Sequence, residues 1–182
     1  MIEIRRLLSA DAAAYRALML DAYAQHPEAF TSSASERAAQ PLDWWVQRLA
    51  EDPSAPQRVH GALDGNELIG AAGWSIEPRE KIRHKAVLFG MYVRPGHRGT
   101  GIGRRLVDAV LADLRTVSQI RQVVLTVTAG NRQAQSLYEA CGFVPFGLEP
   151  RAIRVGDRYH DKVHLWRPIE PAAAATTDPE AG

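Results

Sequence analysis

The chain has 182 residues, of which 46% are hydrophobic and 24% charged, and carries a net charge of +1. That length suits one domain with a full core, and that balance excludes a disordered chain and, with Lys and Arg scattered, a nucleic-acid partner. No run of about 18 apolar residues offers a membrane span, "MIEIRRLLSADAAAY" lacks the pattern of a secretory signal, and Cys141, the single cysteine, leaves no internal disulfide, so the expected location is the reducing cytoplasm.

In chain order, "IEIRRL" alternates apolar and polar residues as a half-buried strand does, and "SADAAAYRALMLDAYAQH" comes next as a helix with Ser9 or Asp11 at its N-cap. "HPEAFTSSASERAAQP" is polar and turn-rich; "LDWWVQRLAEDP" predicts a second helix capped by Asp43 and closed before Pro53. "RVHGALDGNELIGAAGWSIEP" holds two strands joined at Asp64-Gly65, a strong hairpin signal. "HKAVLFGMYV" is apolar almost throughout, which predicts a central strand covered on both faces.

Apolar residues recur at helical spacing from Ile102 through Leu106, Val110 and Leu114. "QVVLTVTAG" is β-branched and strand-like, and "NRQAQSLYEACGF" predicts a helix from Asn131 that Gly142 ends. Two last strands lie around "AIRV" and "KVHLW". The tail "PAAAATTDPEAG" is small and Pro-punctuated, so one domain is expected over 1–168 and a disordered tail over 169–182.

The stretch "VRPGHRGTGIGRRLV" holds four glycines and four arginines where a strand passes into a helix. Backbone N–H groups and the positive end of the helix dipole make such a place an anion site. Gly99, Gly101 and Gly103 let backbone approach an anion and adopt left-handed conformations, and Arg98, Arg104 and Arg105 add charge. A P-loop is excluded because Gly103 is followed by Arg104-Arg105 rather than Lys-Ser/Thr, and a dinucleotide fingerprint because position 104 is not glycine.

Arg98-Gly99-Thr100-Gly101-Ile102-Gly103 resembles the Arg/Gln-x-x-Gly-x-Gly/Ala signature of the GCN5-related N-acetyltransferase (GNAT) superfamily, and the order of elements over about residues 1 to 168 agrees with it. A second motif, Asn131, Ala134 and Tyr138 followed by Gly142-Phe143, resembles the family's Asn-x-x-Ala-x-x-x-Tyr helix; Asn131 and Tyr138 share one helical face. The resemblance implies an α/β fold with a mixed, mostly antiparallel sheet of about seven strands, splayed between the fourth and fifth and flanked by about four helices.

It further implies acetyl-CoA as co-substrate, with no metal. Its pyrophosphate would lie on the backbone of Arg98, Gly99, Thr100, Gly101, Ile102, Gly103 and Arg104, and its pantetheine along Met91, Tyr92 and Val93 and against Asn131. Tyr138 would protonate the departing thiolate, and a strand N–H near Met91 or Tyr92 would support the oxyanion. Tyr138 also fits as a core aromatic and Asn131 as a helix N-cap.

The expected acceptor is a small-molecule amine or amino acid; transfer to a protein N-terminus or lysine, and non-catalytic acyl-CoA binding, are the alternatives. The strand over 85–93 carries no carboxylate, so the base falls to Glu77, His84, His160 or Asp161, or to a water chain. Phe30, Trp44, Tyr92 and Tyr159 are the candidate walls of an acceptor pocket, with Glu36, Arg37 and Asp161 as polar contacts. Gly90 predicts a bulge or a close packing contact, and Cys141 a small buried hydrophobe. Homodimers are frequent in the family, but nothing in the residues marks an interface.

Overall fold

The computed structural model describes residues 1–170. Its strands are β1 (Ile2–Arg6), β2 (Gln57–Asp64), β3 (Glu67–Ile76), β4 (Lys85–Val93), β5 (Gln122–Thr128), β6 (Val144–Val155) and β7 (Arg158–Pro168). They form one seven-stranded sheet in the order β1-β2-β3-β4-β5-β7-β6. All neighbours run antiparallel except β4 and β5, which are parallel. The helices are α1 (Ala12–Gln25), α2 (Ala34–Ala38), α3 (Leu42–Arg48), α4 (Ile102–Thr116) and α5 (Arg132–Ala140).

The sheet is covered on both faces, as the apolar character of β3 and β4 requires. On one face α4 buries Leu106, Val110 and Leu114 completely against Ile69, Trp74 and Val123. On the other, α1 and α3 supply Tyr15, Leu18, Met19 and Trp45, and Tyr15 meets Trp45 edge-on with ring centroids 5.6 Å apart. Asp113 of α4 ties the helix to the sheet: it accepts from Trp74 Nε1 at 2.7 Å and Arg58 at 2.6 Å, and pairs with His60 at 3.1 Å. Burial alone would raise the Asp113 carboxyl, but the His60 and Trp74 hydrogen bonds and the Arg58 charge outweigh it and hold the group at about 2.

Two features of β4 shape the centre of the sheet. It pairs with β5 only from Lys85 to Val87, opposite Gln122 to Val124, and beyond that the strands part. At Gly90 the chain takes φ +64°, and the register with β3 slips, so that Ala72 alone answers both Gly90 and Met91. This is a β-bulge, and it reverses the alternation of side chains. Phe89 packs with α1 and α3, whereas Met91, two residues on, packs with α4.

Several sequence expectations shift in detail. The segment 27–41 contains the short helix α2, which Ser33 and Glu36 frame with a reciprocal capping box. Pro41, not Asp43, occupies the N-cap of α3, and Asp43 lies in its first turn. Asp11 stands at the N-cap of α1 as expected, but its carboxylate turns back, accepting from Leu8 N–H at 2.8 Å and from the two terminal guanidinium nitrogens of Arg5 at 2.8 Å. β6 and β7 are longer than "AIRV" and "KVHLW", with β6 beginning directly after Phe143, and the β6 edge strand exposes Val144, Phe146 and Leu148. Ile169, expected in the tail, is buried, and its N–H donates to the Arg121 carbonyl at 2.8 Å. Of that tail, 171–182 lie outside the described residues.

Candidate active site

The parting of β4 from β5 opens a cleft of about 980 Å³ through the middle of the sheet. At its mouth lies the glycine loop. Gly99 and Gly101 have φ of +77° and +82°, and the space where a Cβ would stand is open at both. Gly101 is the N-cap of α4, so the N–H groups of Ile102, Gly103 and Arg104 are the unpaired first turn of a 15-residue helix. From Gly99 to Arg104 no backbone N–H meets a chain acceptor among the described residues. These convergent donors, with the helix dipole behind them, form an anion nest.

Arg98 differs from the expectation in two respects. Its backbone N–H is spent on Pro95 O at 3.3 Å, so the nest begins at Gly99. Its side chain is braced, with Nε on the Val93 carbonyl at 2.8 Å, an amino group 3.0 Å from His26 Nε2, and the guanidinium 5.5 Å over the Tyr92 ring. Arg104 donates to the Ala140 carbonyl and still lines the cleft. Arg105 turns away, donating to the Ile2 carbonyl at 3.0 Å. Gly103 is needed for closeness rather than for φ: a Cβ there would stand 3.1 Å from Met91 and 3.2 Å from Leu137.

Along β4, Arg94 N–H donates to Ile69 O, so strand alternation turns Tyr92 towards β3 and the backbone polar groups of Met91 and Val93 towards the splay. Facing them, α5 brings Asn131 and Tyr138 to the cleft. Asn131 Oδ1 caps α5 by accepting from Ala134 N–H at 3.1 Å, which leaves its amide NH₂ free to donate. Tyr138 is 6% exposed and packs edge-on against Phe143 at 5.7 Å. Its hydroxyl has no hydrogen-bond partner among the described residues, and burial pushes it well above the usual tyrosine range. The group is therefore a phenol that holds its proton until a strong base forms beside it. Cys141 is buried beneath, its thiol pushed up by that burial.

The opposite end of the cleft is made by the segment after α1, by α3 and by β7. Phe30 lines it, stacked edge-on with Tyr23 at 4.9 Å. Trp44 and Tyr159 are not among the lining residues. Trp44 lies behind Arg37 and Arg48, which do line the cleft, and Tyr159 is 53% exposed on the distal β6–β7 hairpin between Arg151 and Arg154. Glu77, His84, His160 and Asp161 also lie off the cleft: Glu77 pairs with Arg79, and Asp161 accepts from Arg151 N–H at 2.8 Å.

Besides His97 of the glycine loop, whose Nε2 lies 3.9 Å from Asp64, the cleft presents His26 and His164. His26 Nε2 faces a guanidinium that can only donate, so in the neutral ring the proton sits on Nδ1, 3.7 Å from Glu28. His164 Nε2 lies 2.9 Å from Glu149. Neither histidine stands in a recognisable motif; long-range pairing of β7 with β5, and the fold of the 26–31 segment, bring them in.

The 26–31 segment is pinned from below. Lys162, 4% exposed, donates to the carbonyls of Glu28 and Ala29 at 3.1 and 3.0 Å and to Thr128 Oγ1, while Thr128 Oγ1 donates to Glu28 O at 2.7 Å. Burial lowers the Lys162 ammonium from its ordinary range. Among the described residues no group of His, Cys, Asp and Glu has the arrangement of a metal site, and no helix is long and apolar enough to cross a membrane.

Residues 15–143 match the model of the Acetyltransferase (GNAT) family. Mycothiol acetyltransferases from Geodermatophilus obscurus and Beutenbergia cavernae are 30% and 33% identical to the chain over 130 and 135 residues, 70% and 74% of its length. The matches span only 39% and 42% of those relatives, so the chain corresponds to about two fifths of their length. A spermidine N(1)-acetyltransferase from Vibrio cholerae is 32% identical over 83 residues, 46% of this chain and 48% of its own.

Among solved structures, a GNAT-family acetyltransferase from Streptococcus pneumoniae superposes with a TM-score of 0.83 at 22% identity, over 93% of this chain and 99% of that one. The protein yncA from Salmonella typhimurium, solved with its cofactor acetyl-CoA, gives 0.78 at 21% identity, over 100% and 99%. With its splayed sheet, its glycine nest and the match over residues 15–143, the chain belongs to the GNAT acetyltransferase family.

Proposed function

We propose that the chain is an N-acetyltransferase that binds acetyl-CoA in the β4–β5 cleft and passes the acetyl group directly to a primary amine of a small molecule. The observation that carries this reading is the unpartnered row of N–H groups from Gly99 to Arg104 at one end of a cleft whose other wall holds the buried hydroxyl of Tyr138. The nest and Arg104 would hold the pyrophosphate, and the splay-facing backbone of Met91 and Val93 would align the pantetheine arm beside Asn131. Such a fit needs the Cβ-free approach at Gly99 and Gly101.

Chemistry then falls to few groups. Met91 N–H is placed to stabilise the oxyanion that develops on the thioester carbonyl. Tyr138, kept neutral by burial, gives its proton to the leaving thiolate as the carbon–sulfur bond breaks, in a dry pocket that raises the basicity of the nascent thiolate as it raises the hydroxyl. The amine's own proton passes to His164, which lines the cleft, donates through Nε2 to Glu149 and keeps the Nδ1 lone pair to accept it. The names of the mycothiol and spermidine relatives support a small acceptor.

The test is direct. Acetyl-CoA should raise the melting temperature and be consumed, with release of free thiol, when amines are offered. Absence of both binding and thiol release across amino acids, polyamines and peptides would reject the proposal.

A further inference from the structure

The acceptor end of the cleft carries positive charge that no carboxylate among the described residues neutralises. The cleft lining includes Arg37, Arg48, Lys85, Arg98 and Arg104 but a single carboxylate, Glu28, and that one faces His26. Arg98 and Arg104 belong to the glycine-loop end. Arg37 and Arg48 do not: they rise from α2 and α3, on the far side of β4 from α4.

Both are held by aromatic faces rather than by anions. The Arg48 guanidinium lies 4.6 Å from the Trp44 ring and 5.0 Å from the Phe89 ring, and that of Arg37 lies 4.7 Å from Trp44. Neither makes an ion pair or a side-chain hydrogen bond to a carboxylate among the described residues, and Arg37 Nε is buried with no acceptor. Phe89 immediately precedes the Gly90 bulge, so Arg48 lies over the side chain two positions before Met91. Arg48 also meets the Tyr15 hydroxyl and Arg37 the Tyr23 hydroxyl, neutral contacts that leave both guanidiniums with further in-plane donors fixed in direction, the arrangement that receives a carboxylate through paired hydrogen bonds. A polycationic acceptor would meet repulsion at the same place.

We propose that Arg37 and Arg48 form the acceptor's anion subsite, and that the acceptor is an amino acid or a related amine bearing a carboxylate, seated with its carboxylate on the two guanidiniums and its amine towards Met91 and Tyr138. This assignment rests on the acetyltransferase reading for its chemistry, but its binding part can be tested without turnover.

Free-thiol release should be measured with proteinogenic amino acids against their amides and decarboxylated amines, and with spermidine. The expected result is a kcat/KM about tenfold to a hundredfold higher for the free acids, the range expected of charged hydrogen bonds. That preference should be lost in the R37Q/R48Q double variant, whose acetyl-CoA affinity is unchanged. Equal or faster turnover of the amides or of spermidine, or a preference that survives the double variant, would overturn it.

A second arm uses calorimetry in the presence of CoA, with N-acetyl amino acids against their amides. Carboxylate-dependent binding that the arginine variants abolish supports the subsite even if no amine is turned over, in which case acetyl transfer alone fails. Binding indifferent to the carboxylate rejects the subsite.

Discussion

Lys162 Nζ, on β7, donates at 2.9 Å to Thr128 Oγ1, the last residue of β5, at a point where only 4% of the lysine is exposed. Its other two donors go to successive carbonyls of the 26–31 segment, so a single ammonium joins two strands to the wall that bears His26 and Phe30. Lys162→Met fills the same space but takes the donor from the Ala29 carbonyl, so stability should fall by about 1–3 kcal/mol as the wall loses its tether. Hydrogen exchange at Glu28 to Thr31 should accelerate and the acceptor KM should rise, with acetyl-CoA affinity unaltered; unchanged exchange there would show that the tether is dispensable.

Tyr138→Phe keeps the edge contact with Phe143 and deletes only the hydroxyl. With acetyl-CoA and a working acceptor, kcat should fall by about 10² to 10⁴, the usual contribution of a positioned acid, while the affinity for acetyl-CoA holds. Because burial raises this hydroxyl, the wild-type rate should show no alkaline decline attributable to Tyr138 below the ordinary tyrosine range.

Gly101→Ala places a Cβ on a residue at φ +82°. The strain costs about 1–2 kcal/mol of stability. The same change shifts the Ile102 and Gly103 N–H groups that converge on the anion, so acetyl-CoA affinity should fall by more than the loss of stability accounts for. Melting temperature and CoA titration, measured on one preparation, separate the two effects.

Asp113 sets an acid limit. Its carboxyl is held at about 2 in the folded chain, against about 3.9 when unfolded. A depressed carboxylate contributes stability that is fully present above the unfolded value and is lost as pH falls towards the folded one. About 2.5 kcal/mol should therefore disappear between roughly pH 4 and pH 2. Asp113→Asn should be less stable at pH 7 and show a flatter acid limb in urea titrations across that window.

Legibility in the sequence depends on how local each signal is. The glycine loop and the Asn131–Tyr138 helix are read within a dozen residues, because φ, helical spacing and capping are properties of neighbours. The bulge at Gly90 is half legible, since a glycine inside a central strand marks either a bulge or a close packing contact, and the positive φ with the slipped register decides between them. The walls of the acceptor end are not readable in this way. Arg48 looks like the polar face of a short helix until Phe89 and Trp44 close on it, and His164 acquires its place only through the pairing of β7 with β5. Tyr159 shows the reverse: an aromatic residue in the last hairpin suggests a wall, but β6 and β7 run on long enough to carry it clear of the cleft. Ser33 and Glu36 announce α2 in a segment whose polarity otherwise suggests only turns.

The bulge at Gly90 also governs how such a protein can change. By adding one residue to β4 at the point where the cleft opens, it assigns Phe89 and Tyr92 to one side of the sheet and Leu88, Met91 and Val93 to the other. On the proposed reading, substitutions at Phe89, Arg48 or Phe30 would therefore reshape the acceptor chamber without displacing the backbone that would hold the acetyl donor. Separate inheritance of the two halves would let one scaffold keep its donor and exchange its acceptor.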